Sequence, residues 1–473
     1  MPAHPFLKRL PRYQSAEQWR QIARNPSRFG PRVVDIQVPS TFEGPTAPVI
    51  SAAERRHLDA VLADPDSDVA RCAYAGLGGA RGEFIRTQLA IARELRAGDE
   101  PPVELFDREH HLLQSHEREW TEPLAQWGAK DEVFRRGFIE RLSLSGRSFI
   151  SLGRTLFDFL PLRCVRLVAV KWYLDELAKA DHLSKLIRLD LSGNRIGPAG
   201  LATLMASPHM SRLTRFDLTA NDLDDTSISA LADMPLRRLN VARNRLSRFD
   251  LAPFPTLESL DVSGNPMGPK ALVDGTSLRR LNLSGCGIGA DANLKLLGGQ
   301  LRDIDLSFNN LGDTNALPEW NDAHTLSLRG NRLTSFSSRP WPSLRRLDLG
   351  ANFLGDGIPL NPEYYPSLTS LDLTNVLLTG CGLSALLDSG LVAGLTSLNL
   401  SWNRIGDAGV KLLAANPAVA QLRTLDLSGT QIGIAGAKAL LASQQLLHLR
   451  DLRIGECDGL PDPWRESLQI RFR

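Results

Sequence analysis

The stretch that most constrains this chain runs Leu186-Ile187-Arg188-Leu189-Asp190-Leu191-Ser192-Gly193-Asn194-Arg195-Ile196. It reads Leu-x-x-Leu-x-Leu-x-x-Asn-x-Ile, and variants of it open again at Leu213, Leu236, Leu257, Leu278, Leu301, Ala323, Leu344, Leu368, Leu395, Leu422 and Leu449. A recurring unit of this size is one coil of a solenoid, a short strand followed by a loop and usually a helix, which buries its apolar residues only by stacking on its neighbours. Two earlier stretches, Ile139-x-x-Leu142-x-Leu144 and Leu162-x-x-Val165-x-Leu167, keep the apolar spacing but put Arg147 and Val170 where Asn belongs. They read as transitional coils. The expectation is therefore about twelve clear coils, or fourteen with these two.

The ninth position of the phrase is occupied by Asn194, Asn221, Asn244, Asn265, Cys286, Asn309, Asn331, Asn352, Val376, Asn403, Thr430 and Cys457. A side chain there turns inward and can bond the backbone of adjacent coils, satisfying groups that would otherwise be buried unpaired. Cys286 and Cys457 accordingly read as members of this ladder. Val376 cannot hydrogen-bond, so its coil is expected to be a weak point. Ladder positions lie 27 residues apart from Asn194 to Asn221 and from Val376 to Cys457, but 21 to 23 apart between Asn221 and Asn352. The long coils have room for a helix on the convex side, whereas the short ones call for extended or 3₁₀ segments.

These features resemble leucine-rich repeat proteins, and long coils such as Asn403 to Leu413 are similar to the ribonuclease-inhibitor type of repeat. The resemblance implies an α/β fold: a horseshoe-shaped leucine-rich repeat solenoid with a parallel concave sheet. Residues 136–473 are assigned to it.

Residues 1–48 are distinct. They carry seven basic residues (Lys8, Arg9, Arg12, Arg20, Arg24, Arg28, Arg32) against Glu17, Asp35 and Glu43, with Pro39, Pro45 and Pro48 suggesting a linker and a short helix fitting Ala16 to Arg24. This basic extension reads as a solvated tail or a flap, or as a contact for an acidic partner or nucleic acid; no aromatic residues interleave with its charges in a nucleic-acid-binding pattern. From Ser51 helices are expected. Ser51 and Glu54 form a capping box, a second helix fits Glu83 to Ala97 before Gly98, and a third begins after Pro101-Pro102. Residues 49–135 should form an N-terminal helical capping domain on the open end of the solenoid.

The helical region has its own resemblance. Tyr74, Arg81-Gly82-Glu83-Phe84-Ile85-Arg86, Gln88, Arg108-Glu109, Leu112-Leu113, His116, Trp120 and Phe134-Arg135-Arg136-Gly137-Phe138-Ile139-Glu140 look like the repeat-companion domain that precedes repeats in certain environmental bacteria. The resemblance implies bacterial origin and carries over no activity.

Parallel strands place equivalent residues about 4.8 Å apart on the concave face. One column opens Arg188, Arg215, Arg238, and the column two residues on opens Asp190, Asp217, Asn240. Two readings stand for these rows: self-neutralisation of a solvated sheet, or a zwitterionic recognition strip. Phe308 and Trp402 sit just before the ladder Asn, where Gly or Ala is usual, and Phe353 just after it. Aromatics on a binding face are hot-spot candidates, while local packing is the alternative. Arg243 and Arg329 near the same edge could add charge-assisted contacts. The candidate partner-binding residues are thus Arg188, Asp190, Arg215, Asp217, Arg243, Phe308, Arg329, Phe353 and Trp402.

Nothing in the sequence signals catalysis, a cofactor or a metal. There is no Gly-x-x-x-x-Gly-Lys-[Ser/Thr] loop and no Gly-x-Ser-x-Gly elbow, and Gly76 to Gly82 reads as a turn. His110, His111 and His116 are not spaced to share a helical face, and the five cysteines contain no Cys-x-x-Cys. Apolar content of 42%, charged content of 23% and a net charge of +2 fit an ordinary globular protein with no global bias towards nucleic acid or membrane. Cytoplasm is the expected location. The expected function is a non-enzymatic protein-protein interaction scaffold using the concave face and its rims. A regulator or inhibitor of a partner enzyme, and a nucleic-acid contact through residues 1–48, are the alternatives.

Overall fold

The computed structural model describes residues 50–472 apart from 269–271, 274–276, 291–299, 313–316, 337–338 and 359. The basic extension, its helix from Ala16 to Arg24 and its linker lie outside the described residues. Strands Lys130–Arg135 (β1) and Phe138–Ser145 (β2) form an antiparallel hairpin. β2 then begins a parallel series that continues through Cys164–Val168 (β3) and twelve three-residue strands from Arg188–Asp190 to Asp451–Arg453, giving one sheet of fifteen strands. The fourteen parallel strands are the fourteen expected coils. Their register keeps each phrase aligned, for example Arg188↔Arg215, Leu189↔Phe216 and Asp190↔Asp217.

The middle residue of each short strand points inward, so Leu189, Phe216, Leu239 and Leu260 share one buried row. The ladder sits beside it. At Asn331, Oδ1 accepts from the Asn309 and Leu311 amides (3.1 and 3.4 Å), while Nδ2 donates to the carbonyls of Leu306 and Leu328, both 2.9 Å away. One side chain thus satisfies four backbone groups across two coils, the full capacity of an amide in this setting. Cys286 manages part of this, its Sγ lying 3.2 Å from the Val262 carbonyl. Val376 is fully buried and does none of it. Among the described residues, the amides of Asn352 and Leu354, which the next ladder side chain would accept, find no hydrogen-bond partner. The ladder is thus interrupted at Val376, where the sequence places a residue that cannot hydrogen-bond.

On the convex side the long coils carry helices Gly197–Met205, Gly380–Asp388, Gly406–Ala415 and Ile434–Ala442. Two short coils instead pair Phe249–Asp250 with Leu272–Val273 in a small parallel sheet. Helix and extended segment divide by coil length with one exception, the five-residue helix Asp225–Ser229 in the short coil from Asn221 to Asn244, which the capping box of Asp224 and Ser227 holds. A second, shorter ladder links coils here: Asp225 accepts from the Ser247 amide, Asp356 from Thr379 and Asp407 from Gly433 and Gly436.

Helices α1 (Ala52–Ala63), α2 (Asp68–Ala75), α3 (Gly79–Ala97) and α4 (Val103–Ala125) precede the sheet. Ser51 Oγ accepts from the Glu54 amide at 3.1 Å, and Gly98 ends α3 with φ 87°. The expected capping box is only half formed, because the Glu54 carboxylate accepts from the Tyr74 hydroxyl instead of reaching back to Ser51. Two further details differ from the sequence reading. α2 was not expected, its eight residues being too short to carry a clear apolar period. Gly79 to Gly82 is not a turn: it forms the first turn of α3, and Gly82 lets that helix lie against the Ala75 carbonyl. Leu58, Val61, Tyr74, Ala75, Ile85 and Leu89 share one core with Phe138 of β2. The helices thus close on the first coil.

Candidate interaction surface

The outward residues of the strands form two rows. The second row, Asp190, Asp217, Asn240, Asp261, Asn282, Asp305, Ser327, Asp348, Asp372, Asn399 and Asp426, has a structural task that the sequence did not disclose. Each Asp or Asn accepts the amide of the residue two positions on: Asp190 from Ser192 (3.0 Å), Asp261 from Ser263 (2.9 Å), Asn282 from Ser284 (3.0 Å) and Asp426 from Ser428 (2.9 Å). These are Asx turns, which end ten of the twelve short strands and start the loop, the exceptions being those that end in Ser327 and Arg453. The interleaved asparagines also donate Nδ2 to the neighbouring carboxylate, Asn240 to Asp217 (3.3 Å) and Asn399 to Asp372 (3.0 Å). Self-neutralisation is therefore built in. Asp190 is itself buried, whereas Asp217 is half-buried, and burial together with nearby Asp190 pushes its carboxyl above the usual range.

In the first row, four of the first five short strands carry arginine: Arg188, Arg215, Arg238 and Arg280. Arg188, Arg215 and Arg238 occupy consecutive strands. Arg280 is paired with Asp303 at 3.0 Å. Arg329, on the loop side, reaches across two coils towards Asp348 (3.7 Å) and Asp372 (3.9 Å). Asp348 is pushed up to about 6, first by burial and then by Asp372, with Arg329 opposing.

The residue immediately before each ladder position has a positive φ throughout: Gly193, Ala220, Arg243, Gly264, Gly285, Phe308, Gly330, Ala351, Asn375, Trp402, Gly429 and Glu456. A left-handed backbone is cheap for Gly and costs other residues about 1–2 kcal/mol. Hence the small residues that dominate this row. Phe308 (φ 58°) and Trp402 (φ 61°) hold it with bulky aromatic side chains that are 43% and 41% exposed. Each ring lies over the glycine one coil on. A Cβ placed on Gly330 would stand 2.6 Å from Phe308 Cδ1, and one on Gly429 would stand 2.9 Å from Trp402 Cδ2. Arg243 is exposed and lays its stem over Gly264 in the same way. Local packing and exposure therefore coexist in these rings, one face on the next coil and the other in solvent.

Phe353, 55% exposed, follows its ladder residue, and sequence reasoning missed its counterpart Leu377. Leu377 holds the same post-ladder position one coil on, is also exposed, and again has a positive φ (67°). Alignment of the phrases alone would have found it. Phe353, Leu377 and Trp402 thus occupy three successive coils at the edge where the strands end, and Phe308 lies two coils before Phe353. Arg188, Arg215 and Asp217 belong instead to the N-terminal third of the sheet, so the candidate residues fall into two groups.

Several motif residues of the helical region are absorbed in packing, together with Arg71, which the sequence motif did not include. Arg71 is fully buried and donates to the carbonyls of Arg135, Arg136 and Pro65 and to Glu140 Oε1 at 2.7 Å. The Arg81 guanidinium lies over Trp120 (4.8 Å), Phe134 (5.3 Å) and Phe138 (5.5 Å). Gly137, at φ 86°, presses against Ile85 while its amide donates to Gln88 Oε1 at 2.6 Å. His116 stacks on Trp120. Among the described residues no three His, Cys, Asp or Glu side chains group as metal ligands, and no helix is long and apolar enough to cross a membrane.

A family model described as Leucine Rich repeat matches residues 182–205, 255–273, 276–292, 395–414 and 421–441. No curated protein matches the chain. Among solved structures it is similar to a leucine-rich repeat protein of Leptospira interrogans, at 21% identity over 65% of this chain and 82% of that one, with a TM-score of 0.45. An internalin of Listeria monocytogenes matches at 19% identity over 62% and 81%, with a TM-score of 0.36. The Toll–Spatzle complex of Drosophila matches at 18% identity over 66% and 49%, with a TM-score of 0.42. With the ladder, the parallel sheet and the matched coils in hand, the chain carries leucine-rich repeats and folds as a leucine-rich repeat solenoid.

Proposed function

We propose that this protein is a non-enzymatic scaffold that binds a protein partner across the concave face and the strand-exit edge of its solenoid. Leucine-rich repeat proteins generally mediate protein-protein interaction, and the observation that carries the reading here is local. Phe308 and Trp402 hold a strained backbone position with half-exposed rings where Gly suffices for the fold. Strain retained without need in the fold points to use. With Phe353 and Leu377 they give an apolar anchor, and Arg243 and Arg329 lie on the same edge. In this reading residues 49–135 act as a repeat-companion-like cap, residues 136–473 carry the binding surface, and the long coils are of ribonuclease-inhibitor type.

The test is partner capture from the native host by the full chain, with crosslinking to locate the contact. Phe308→Gly with Trp402→Gly should leave the thermal midpoint within a few degrees and sharply reduce the crosslinked partner. Undiminished capture by the double variant, or crosslinks confined to the convex helices, removes the proposed surface.

A further inference from the structure

The basic end of the concave face is separate from the aromatic edge and has its own peculiarity. Arg188, Arg215 and Arg238 stand side by side on three consecutive strands, in direct register. Arg141 and Arg280 extend the row at either end, each one strand beyond a neutral position held by Cys164 and Ser259. Strand spacing puts adjacent members about 4.8 Å apart. Among the described residues none of Arg141, Arg188, Arg215 or Arg238 forms an ion pair. Like charges directly opposite on neighbouring strands weaken a sheet. Consistent with that crowding, the Arg238 guanidinium is held below its ordinary value, first by partial burial and then by Arg215 and Arg280.

The fold does not ask for arginine here. The same row takes Ser259, Thr325, Ser370, Ser397 and Thr424 in other coils, with the strands pairing in the same register. A crowded cationic row that the repeat does not require, in which Arg188, Arg215 and Arg238 have no ion pair among the described residues, is organised for an anion outside the chain.

The second row decides which kind. Two residues further along each strand, Asp190, Asp217 and Asp261 use Oδ1 in their Asx turns and keep the remaining charge on the same face. A continuous phosphate backbone laid on the arginines would run beside these carboxylates and be repelled along its length. A protein segment avoids this by carrying carboxylates on one line only. The face of an α-helix with Glu or Asp at i, i+4 and i+8 presents them at roughly 5–6 Å intervals, close to the arginine spacing.

We infer that Arg188, Arg215 and Arg238, flanked by Arg141 and Arg280, form a docking strip for the acidic face of a partner helix. This rests on the reading that the concave face takes a protein partner. The strip adds the chemistry of one half of that partner, while the aromatic edge takes another part.

The test uses the full chain and a fluorescent alanine-rich helical peptide with glutamates at i, i+4 and i+8, followed by anisotropy at low ionic strength. The expected result is binding that weakens as salt rises and falls about tenfold or more in Arg188→Ser, Arg215→Ser, Arg238→Ser, which borrows the residue already used at Ser259. The charge-matched variant Arg345→Ser, Arg423→Ser, Arg450→Ser, at exposed arginines further along the solenoid, should bind as the parent does. Circular dichroism melts should show the triple variant at least as stable as the parent. The strip is overturned if the parent ignores the peptide, if the triple variant keeps its affinity, or if oligothymidine binds the arginine row more tightly than the peptide. Failure here with capture still lost on Phe308→Gly, Trp402→Gly overturns the strip alone; retention of capture in that edge variant overturns the wider reading.

Discussion

The indole of Trp402 rests on Gly429, the residue at the equivalent position one coil on, and both have a left-handed backbone. Phe308 and Gly330 repeat the arrangement four coils earlier. A large residue before one ladder position therefore imposes glycine before the next.

That dependence is measurable as a double-mutant cycle in urea. Gly429→Ala should destabilise by about 1–2 kcal/mol from its backbone alone, with a further penalty from the indole. In a Trp402→Gly background the indole's share should disappear, giving a coupling of about 1 kcal/mol. Additive effects would show that the ring moves aside without cost. Trp402→Gly itself should be near neutral, because relief of strain and loss of one half-exposed ring contact are of similar size.

At Val376 the ladder is interrupted and the amides of Asn352 and Leu354 are left without acceptors among the described residues. Val376→Asn places Oδ1 and Nδ2 where the coils on either side place theirs. It should raise stability by about 1–2 kcal/mol, read as a higher urea midpoint. A lower midpoint would mean that the valine's packing outweighs two backbone hydrogen bonds.

Asp348 is pushed up to about 6 by burial and by Asp372. A carboxyl raised in the folded state binds its proton more tightly there than in the unfolded chain, whose value is near 3.8. Its contribution therefore favours folding increasingly as pH falls through about 6 towards 4, and is lost as pH rises back through 6. Asp348→Asn should flatten that part of the stability profile and raise stability at neutral pH. Asparagine already serves at Asn240, Asn282 and Asn399, so the turn to Gly350 should survive. An unchanged profile in the variant would assign the titration elsewhere.

The cysteines should divide by thiol labelling in native buffer. Cys72 and Cys381 are exposed and should react, whereas Cys286 and Cys457 are buried in the ladder. Burial also pushes the Cys286 thiol up to about 11, so little thiolate is present at neutral pH. Labelling of Cys286 should appear only with unfolding, and its reaction in the native protein would contradict its place between coils.

Much of the solenoid was legible because it is one-dimensional. Each coil bonds only to its neighbours, so the spacing of Leu and Asn in the sequence is the spacing of strands and ladder in space. The phrase therefore determined the strand register, the buried middle row, the ladder from Asn194 to Cys457, and its interruption at Val376. The same reasoning placed Ser51, Gly98 and three of the four leading helices. What it could not determine was geometry that depends on conformation or on distant partners. The left-handed backbone before each ladder residue, which makes Phe308 and Trp402 exceptional, is set by how the loop leaves the strand. The Asx turns, which occupy Asp190 and Asp217, follow from the same loop. Arg71 and Arg81 look like surface charges in the sequence; only the fold brings Glu140, 69 residues away, to the first and three aromatic rings to the second. Local periodicity determined the scaffold, and contacts without a period decided which of its residues are free to meet a partner.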